Sequence, residues 1–352
     1  MHMAKARRRR VAAIDGSGRF VLIEEEAPRP GRGEVLVENR VTLISPGTEL
    51  GGVPAMRANP KPGAAPREFG YSSAGVVLEA GEGCEDMPAG LEVACMGGGY
   101  ALHSDYVVVP RNLTVPKPAG LSFEEAAFAH LAATSLHAVR RADVRIGESF
   151  LVAGLGIVGQ IAVQFGAIAG GHVAAMDHLE MRRKRALEGG AELALAPSED
   201  AVAKVRQFTR GYGLDCALIA FGGDATGAIE QISSMMKVAP DSHRMGRLAI
   251  VGGASFQAKG WPVAVGNMDI RPSSRPGPGY HDEAWEHGRD YPPVFVDWTT
   301  RRNMEESLRF AAAGRLKLEM LITHRLPLAD FAEGAEALLT TPGEALGVVL
   351  EP

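Results

Sequence analysis

Cysteine is scarce. Cys84, Cys95 and Cys216 are the only three in 352 residues. They form no Cys-x-x-Cys pair and no disulfide framework, so a reducing cytoplasm is the expected location. An excess of one charge is also missing: the formal net charge of −5 gives no sign of a nucleic-acid partner. The one basic run, Arg7–Arg10, is short and is expected to be a frayed, solvated terminus. No apolar stretch follows it as a signal-peptide core, and none is long enough to span a bilayer, so no membrane partner is expected. The rest of the composition is that of a globular protein, 46% hydrophobic and 22% charged. A chain of this length can bury a large core and is expected to divide into two domains.

The pattern along the chain changes twice. Up to about Pro118 it reads as short strands punctuated by Gly and Pro, including "RRVAAID", "GEVLVENRVTLIS" and "LEVACMG", which suggests an all-β, barrel-like unit. "REFGYSSAGVVLEAGEG", from Arg67 to Gly83, has the cadence of two strands leading into a turn. From Ser122 a helix start appears, with Ser followed by Glu and then helical apolar spacing in "SFEEAAFAHLAATSLHAVRRA". Short apolar strands then alternate with helices, the mark of a parallel, doubly wound sheet. Past Pro272 a Gly/Pro/aromatic stretch breaks the alternation, and two helices precede a closing strand "GVVLEP".

The motif with the clearest chemistry is "FLVAGLGIVGQIAVQFGAIAG". Gly154, Gly156 and Gly159 have G-x-G-x-x-G spacing, after an apolar strand and at the opening of a helix that begins near Ile157 and Val158. The first glycine permits a tight turn, the second lets a pyrophosphate approach the backbone, and the third allows close helix–strand packing. Asp177 ends the next strand, 18 residues past Gly159. It is placed to accept hydrogen bonds from ribose hydroxyls and to repel a 2′-phosphate, favouring NAD over NADP. Arg182 and Arg183 blur that preference, because either could reach a phosphate. The bland alternative is a tight turn with surface charges.

A β-rich first unit followed by a nucleotide-binding sheet resembles the medium-chain dehydrogenase/reductase family. The resemblance covers nearly the whole chain and rests on "GEVLVENRVTLISPGTEL", "FGYSSAGVVLEAGEG", the glycine motif and "LITHRLPLADFAEGAEALL". It implies an α/β protein: a GroES-like catalytic domain starting in residues 1–120, a Rossmann domain in 121–275, and a polar loop with a C-terminal return in 276–352. Zinc-dependent members read Cys-Gly-Thr-Asp where this chain has Pro46-Gly47-Thr48-Glu49, and Gly-His-Glu where it has Gly70-Tyr71-Ser72. Their third ligand lies four residues before a Thr, here Thr134, which makes His130 its counterpart. Only His130 is a normal zinc donor. The four-cysteine structural zinc loop is missing too. The resemblance therefore points to a zinc-free branch.

Without zinc, oxidation of an alcohol needs a side chain to take the hydroxyl proton. The resemblance puts His130 and Tyr71 beside the nicotinamide, and Thr48 matches the family's proton-relay hydroxyl. A His base would titrate near neutrality; Tyr71 would need a strongly lowered pKa, or would donate a hydrogen bond. The structural alternatives are a satisfied polar residue at a helix contact for His130 and a packing aromatic for Tyr71. For Thr48 and Glu49 the alternative is a turn or cap, with Glu49 bracing a basic residue. His103 and His137 read as structural. Ser45 and Glu49 are candidate substrate contacts. So are Arg275, Tyr280 and His281 in the long polar loop, which also offers Asp290 and Tyr291. That loop and "LISPGTE" are similar to a bacterial zinc-free group acting on sugars, cyclitols and polyols. Hydroxyl-rich substrates need such donors and acceptors; otherwise the loop covers an edge or builds a dimer contact. The expected activity is oxidation of a secondary alcohol with NAD, in a homo-oligomer (dimer or tetramer). A zinc-free enoyl or quinone reductase and a non-catalytic dinucleotide-binding sensor or scaffold are the alternatives.

Overall fold

The computed structural model describes residues 7–257 and 265–352. The chain forms two compact units. One comprises Met1–Ala133, Gly277–Gly314 and Leu318–Pro352; the other comprises Thr134–Pro276 and Arg315–Lys317.

In the first unit the basic run does not fray. Arg8–Ile14 is a strand, paired antiparallel with Phe20–Glu26 along its length. Buried Arg9 donates to Glu25 at 2.8 Å and to the Tyr106 carbonyl at 3.0 Å, and Arg10 pairs with Asp105 at 2.6 Å. Those acceptors lie far away in the sequence, so a local reading misses them.

The main sheet of this unit runs in the order Ile322–Pro327, Gly347–Glu351, Glu34–Ile44, Ser72–Ala80, Glu92–Met96, Thr114–Pro116, with Tyr106–Pro110 also paired to Glu34–Ile44. The stretch around Tyr71 does contain two strands, Arg67–Glu68 and Ser72–Ala80. The C-terminal segment closes the unit. Phe331 and Ala335, from the helix Phe331–Thr340, share one apolar cluster with Ile14, Ile44, Leu50 and Phe69. Burying a side chain of the size of Leu50 or Phe69 contributes about 1.5–3 kcal/mol.

Register places the site. Thr42 stands opposite Ser73, and Ser72 stands opposite Met96. The segments Ser45–Glu49, Gly70–Tyr71 and Gly97–Tyr100 therefore leave the sheet at one end. Ser122 caps the following helix as expected, in a reciprocal box with Glu125. That helix stops after Phe123–Ala126, and a second one, Ala129–Ala142, carries His130.

The second unit is built on six parallel strands. Their order is Leu193–Leu195, His172–Met176, Ser149–Ala153, Cys216–Ile219, Arg247–Val251, Asp269–Ser273. This is the doubly wound dinucleotide-binding order, in which ligands bind at the carboxyl ends of the strands where the order reverses. The reversal falls at Ser149–Ala153, which runs directly into Gly154. Asp269–Ser273 was not legible as a strand, because it contains Pro272. Proline is tolerated there because the strand lies at the sheet's edge. Among the described residues no helix is long and apolar enough to cross a membrane.

Candidate active site

The glycine turn of the second unit has the geometry a dinucleotide needs. Gly154 has φ +89, a region that disfavours any side chain. A Cβ on Gly159 would lie 1.9 Å from the Gly154 carbonyl oxygen, so only glycine lets the helix sit this close to the turn. A Cβ on Gly156 would meet nothing within 4 Å, so space lies open at the N-terminus of the helix Ile157–Ile168. That helix start carries unpaired N–H groups and the positive end of the macrodipole, and it fits a pyrophosphate.

Asp177 follows the strand His172–Met176, beside this turn. Its Oδ2 accepts from the Leu155 amide at 2.7 Å and its Oδ1 from the Leu179 amide at 2.8 Å. The carboxylate thus braces the turn in addition to any role toward a ribose; ionised oxygens retain further acceptor capacity. Arg182 lies 3.8 Å from Asp177. The Arg183 guanidinium donates to the carbonyls of Asp177 and His178, at 2.8 and 2.7 Å. Arg183 thus braces the backbone through one nitrogen of its guanidinium, Nη1. Val158 contributes its carbonyl to the Ser135 hydroxyl at 2.9 Å.

In the first unit the positions that the resemblance aligns with metal ligands form a hydrogen-bonded cluster. His130 Nδ1 lies 3.0 Å from the Tyr71 carbonyl. A carbonyl only accepts, so the proton sits on Nδ1 and Nε2 carries the lone pair. Burial drives the His130 pKa down to about 4, against the smaller opposing effect of that hydrogen bond. The expectation of titration near neutrality is corrected: His130 is neutral across the physiological range. The ring lies edge-on to Tyr71, with centroids 4.3 Å apart. Tyr71 is itself buried, and desolvation followed by the nearby Glu49 charge pushes its pKa up. A phenolate base is thereby disfavoured. The Tyr71 hydroxyl donates to Ser45 Oγ, and Thr48 lies beside it. Ser45, expected as a substrate contact, is buried and engaged with Tyr71.

Behind this layer Glu49 is 4% exposed. Its Oε2 accepts from the Ser45 amide at 2.8 Å and lies 3.2 Å from His103 Nε2. His103 Nδ1 lies 2.8 Å from Thr42 Oγ1. Glu49 Oε1 is buried without a hydrogen-bond partner. His103, expected to be structural, gives no local sequence signal of this pairing, since Glu49 is 54 residues away.

Ser72 donates to the Ala127 carbonyl at 2.6 Å. Pro46 has no side-chain donor atom, Tyr71 and Ser72 are committed elsewhere, and His130 alone is an ordinary zinc ligand. These residues do not supply the three donors a catalytic zinc requires. Among the described residues there is no group of three or more His, Cys, Asp or Glu side chains that could hold a metal.

The polar loop reaches the cluster from one side. Tyr280 lies 6.2 Å from His130, centroid to centroid, and stacks on His281 at 3.9 Å. Its hydroxyl accepts from the Gly98 amide at 2.7 Å. His281 has φ +74, and its amide is held by buried Glu286 at 2.7 Å. Arg275 lies in the other unit, with φ +63. Asp290 accepts from the Trp285 indole at 3.1 Å and Tyr291 donates to Asp282 at 2.7 Å, so both brace the loop internally. Burial, followed by the charges of Arg141 and Arg140, lowers the His137 pKa to about 4.

Residues 158–279 match the family described as zinc-binding dehydrogenase. That stretch leaves out Pro46, Tyr71, Ser72 and His130. Sorbitol dehydrogenase of Halalkalibacterium halodurans is 22% identical, over 96% of this chain and 97% of its own length. D-guloside 3-dehydrogenase of Shigella flexneri is 28% identical, over 80% of this chain and 77% of its own. Among solved structures, 2R,3R-butanediol dehydrogenase from Bacillus subtilis superposes with a TM-score of 0.75 at 20% identity, covering 98% of this chain and 99% of that one. The glycine turn, the doubly wound sheet, the β-rich companion unit and these relatives agree: the chain belongs to the medium-chain dehydrogenase/reductase family of NAD(P)-dependent oxidoreductases.

Proposed function

We propose that this protein is an NAD-dependent dehydrogenase that oxidises a secondary alcohol of a polyol, cyclitol or sugar-like substrate without zinc. One observation carries the reading. His130, which the resemblance aligns with a zinc ligand, is a neutral imidazole with its Nδ1 proton on the Tyr71 carbonyl. The residues around Gly154, Gly156 and Gly159 hold the nucleotide, with the helix start at Ile157 and Val158 facing its pyrophosphate. A bound nicotinamide supplies the hydride acceptor. His130 Nε2 accepts the proton of the reacting hydroxyl, which lets the alcohol carbon become a carbonyl. Thr48, exposed beside Tyr71, passes protons onward. Tyr280 and His281 wall the pocket and orient the substrate.

The preference for NAD is supported by Asp177, whose carboxylate beside the glycine turn adds negative charge where a 2′-phosphate would sit. The names of the relatives, which include a sorbitol and a guloside dehydrogenase, support the hydroxyl-rich substrate class.

The test is calorimetric titration with NAD and NADP, then coenzyme reduction with a panel of polyols, cyclitols and simple sugars. Tighter binding of NAD and turnover of a secondary alcohol are expected. Nucleotide binding without turnover of any alcohol would sink the dehydrogenase reading in favour of a sensor.

A further inference from the structure

The helix Ile157–Ile168, which starts at the glycine turn, has only two polar side chains, Gln160 and Gln164. Both are buried, Gln160 to 1% exposure. A buried amide is costly unless its protons are paired. Gln164 is used on the backbone of Lys317, at 2.7 and 3.1 Å. Gln160 serves the turn itself. Its Nε2 donates to the Leu155 carbonyl at 3.2 Å and to the Arg182 carbonyl at 2.7 Å. Both partners only accept, so the NH2 group must face them and the orientation of the amide is fixed. The amide oxygen is left buried without a hydrogen-bond partner. An apolar side chain would fill this place without that cost, so the two N–H bonds are what the glutamine contributes.

The contacts close a ring. Leu155 lies between Gly154 and Gly156, and its N–H donates to Asp177 Oδ2 at 2.7 Å. Leu155 is thus gripped at both ends of its backbone, by Asp177 at the amide and by Gln160 at the carbonyl. The same Asp177 oxygen lies 3.8 Å from the Arg182 guanidinium, and Gln160 holds the carbonyl of that arginine. The ring runs Asp177, Leu155, Gln160, Arg182 and back to Asp177. It ties the glycine turn to the segment 177–182, and Gln160 is the member anchored in a buried helix.

We propose that Gln160 is a positioning residue for the coenzyme: through Leu155 and Arg182 it fixes the Asp177 carboxylate where it meets the adenosine ribose, and so sets the affinity for NAD and the discrimination against NADP. This rests on the reading of Asp177 as the residue that faces the ribose. Gln160 is too deeply buried to touch the coenzyme, so its effect passes wholly through Asp177 and the turn. Residues that act through one another give non-additive losses when both are changed.

The test is a double-mutant cycle read by calorimetric titration with NAD and NADP. The proteins are the wild type, Gln160→Met, Asp177→Asn and the double variant, each checked for folding by a thermal melt without nucleotide. Methionine keeps the length of the side chain and removes the amide. Gln160→Met should weaken NAD binding by about tenfold, the scale of one hydrogen bond to a charged group. It should weaken NADP less, narrowing the ratio of the two affinities by at least about threefold. In the Asp177→Asn background the same substitution should change NAD affinity by less than about twofold. If Gln160→Met does not fold, Gln160→Asn, whose amide is one methylene short of its two carbonyls, replaces it in the cycle. A folded Gln160 variant that keeps the wild-type affinity and ratio overturns the proposal. So does an equal loss of NAD affinity with and without the Asp177 carboxylate, which would make Gln160 a packing residue only. If Asp177→Asn leaves both affinities unchanged, the ribose reading of Asp177 fails and the proposal falls with it, while nucleotide binding stands.

Discussion

Ser72 donates its hydroxyl to the carbonyl of Ala127 at 2.6 Å. Ala127 lies in the short break between the helix Phe123–Ala126 and the helix that presents His130. The bond ties the strand Ser72–Ala80 to the break that precedes the helix bearing the proposed base. Ser72→Ala leaves the Ala127 carbonyl without this partner and is expected to cost about 1–3 kcal/mol. Denaturant unfolding should show the loss, while NAD affinity measured by calorimetry stays near wild type.

His130 titrates far below neutrality, so kcat/KM should be flat from about pH 5.5 through neutrality, with its acidic limb near the pKa of about 4. His130→Gln should lower kcat by on the order of 10²-fold and remove that limb. A pH–rate profile of both forms decides it; a limb near neutrality that survives the substitution would assign the base elsewhere.

Stability should respond to the same group. The folded pKa of about 4 lies below the ordinary value of 6.5, so the unfolded chain binds the extra proton first. Stability is therefore fully present above about pH 6.5 and declines as pH falls toward 4. His137, with a pKa of about 4, acts in the same direction. Urea midpoints measured across this window should fall with pH, and less steeply in His130→Gln.

Gly159→Ala should destabilise the nucleotide-binding unit, by at least the roughly 1–3 kcal/mol typical of overpacking. Its Cβ would lie 1.9 Å from the Gly154 oxygen, and backbone cannot yield as a flexible side chain does. A thermal melt should show a lowered transition and a lost upward shift with NAD.

Purified protein should contain no stoichiometric zinc, and a chelator should leave alcohol oxidation unchanged. Metal analysis finding one zinc per chain, removed together with activity, would overturn the zinc-independent mechanism. The motive is the donor set: a proline, a tyrosine and a serine already in hydrogen bonds, and one histidine.

The sequence by itself determined the elements whose cause is local. The glycine spacing, the capping box at Ser122 and the alternation of apolar strands with helices are set by backbone sterics and short-range periodicity, and they appear in the structure where the chain places them. The residue types that the resemblance aligns with zinc ligands were legible directly, because a ligand is a residue type. The chemical state of the remaining residues was not. His130 was expected to titrate near neutrality, but its pKa is set by desolvation, which depends on what packs around it. Ser45 was read as a substrate contact, but its hydroxyl faces Tyr71, 26 residues away. The pairing of Glu49 with His103 arises only when three strands bring their ends together in register. Arg9 looked like a solvated terminal charge until Glu25 and the Tyr106 carbonyl closed around it. Residue identity fixes which groups can donate, accept or titrate. Only the tertiary structure decides which of them meet, because burial and hydrogen bonding are made by neighbours that the sequence separates.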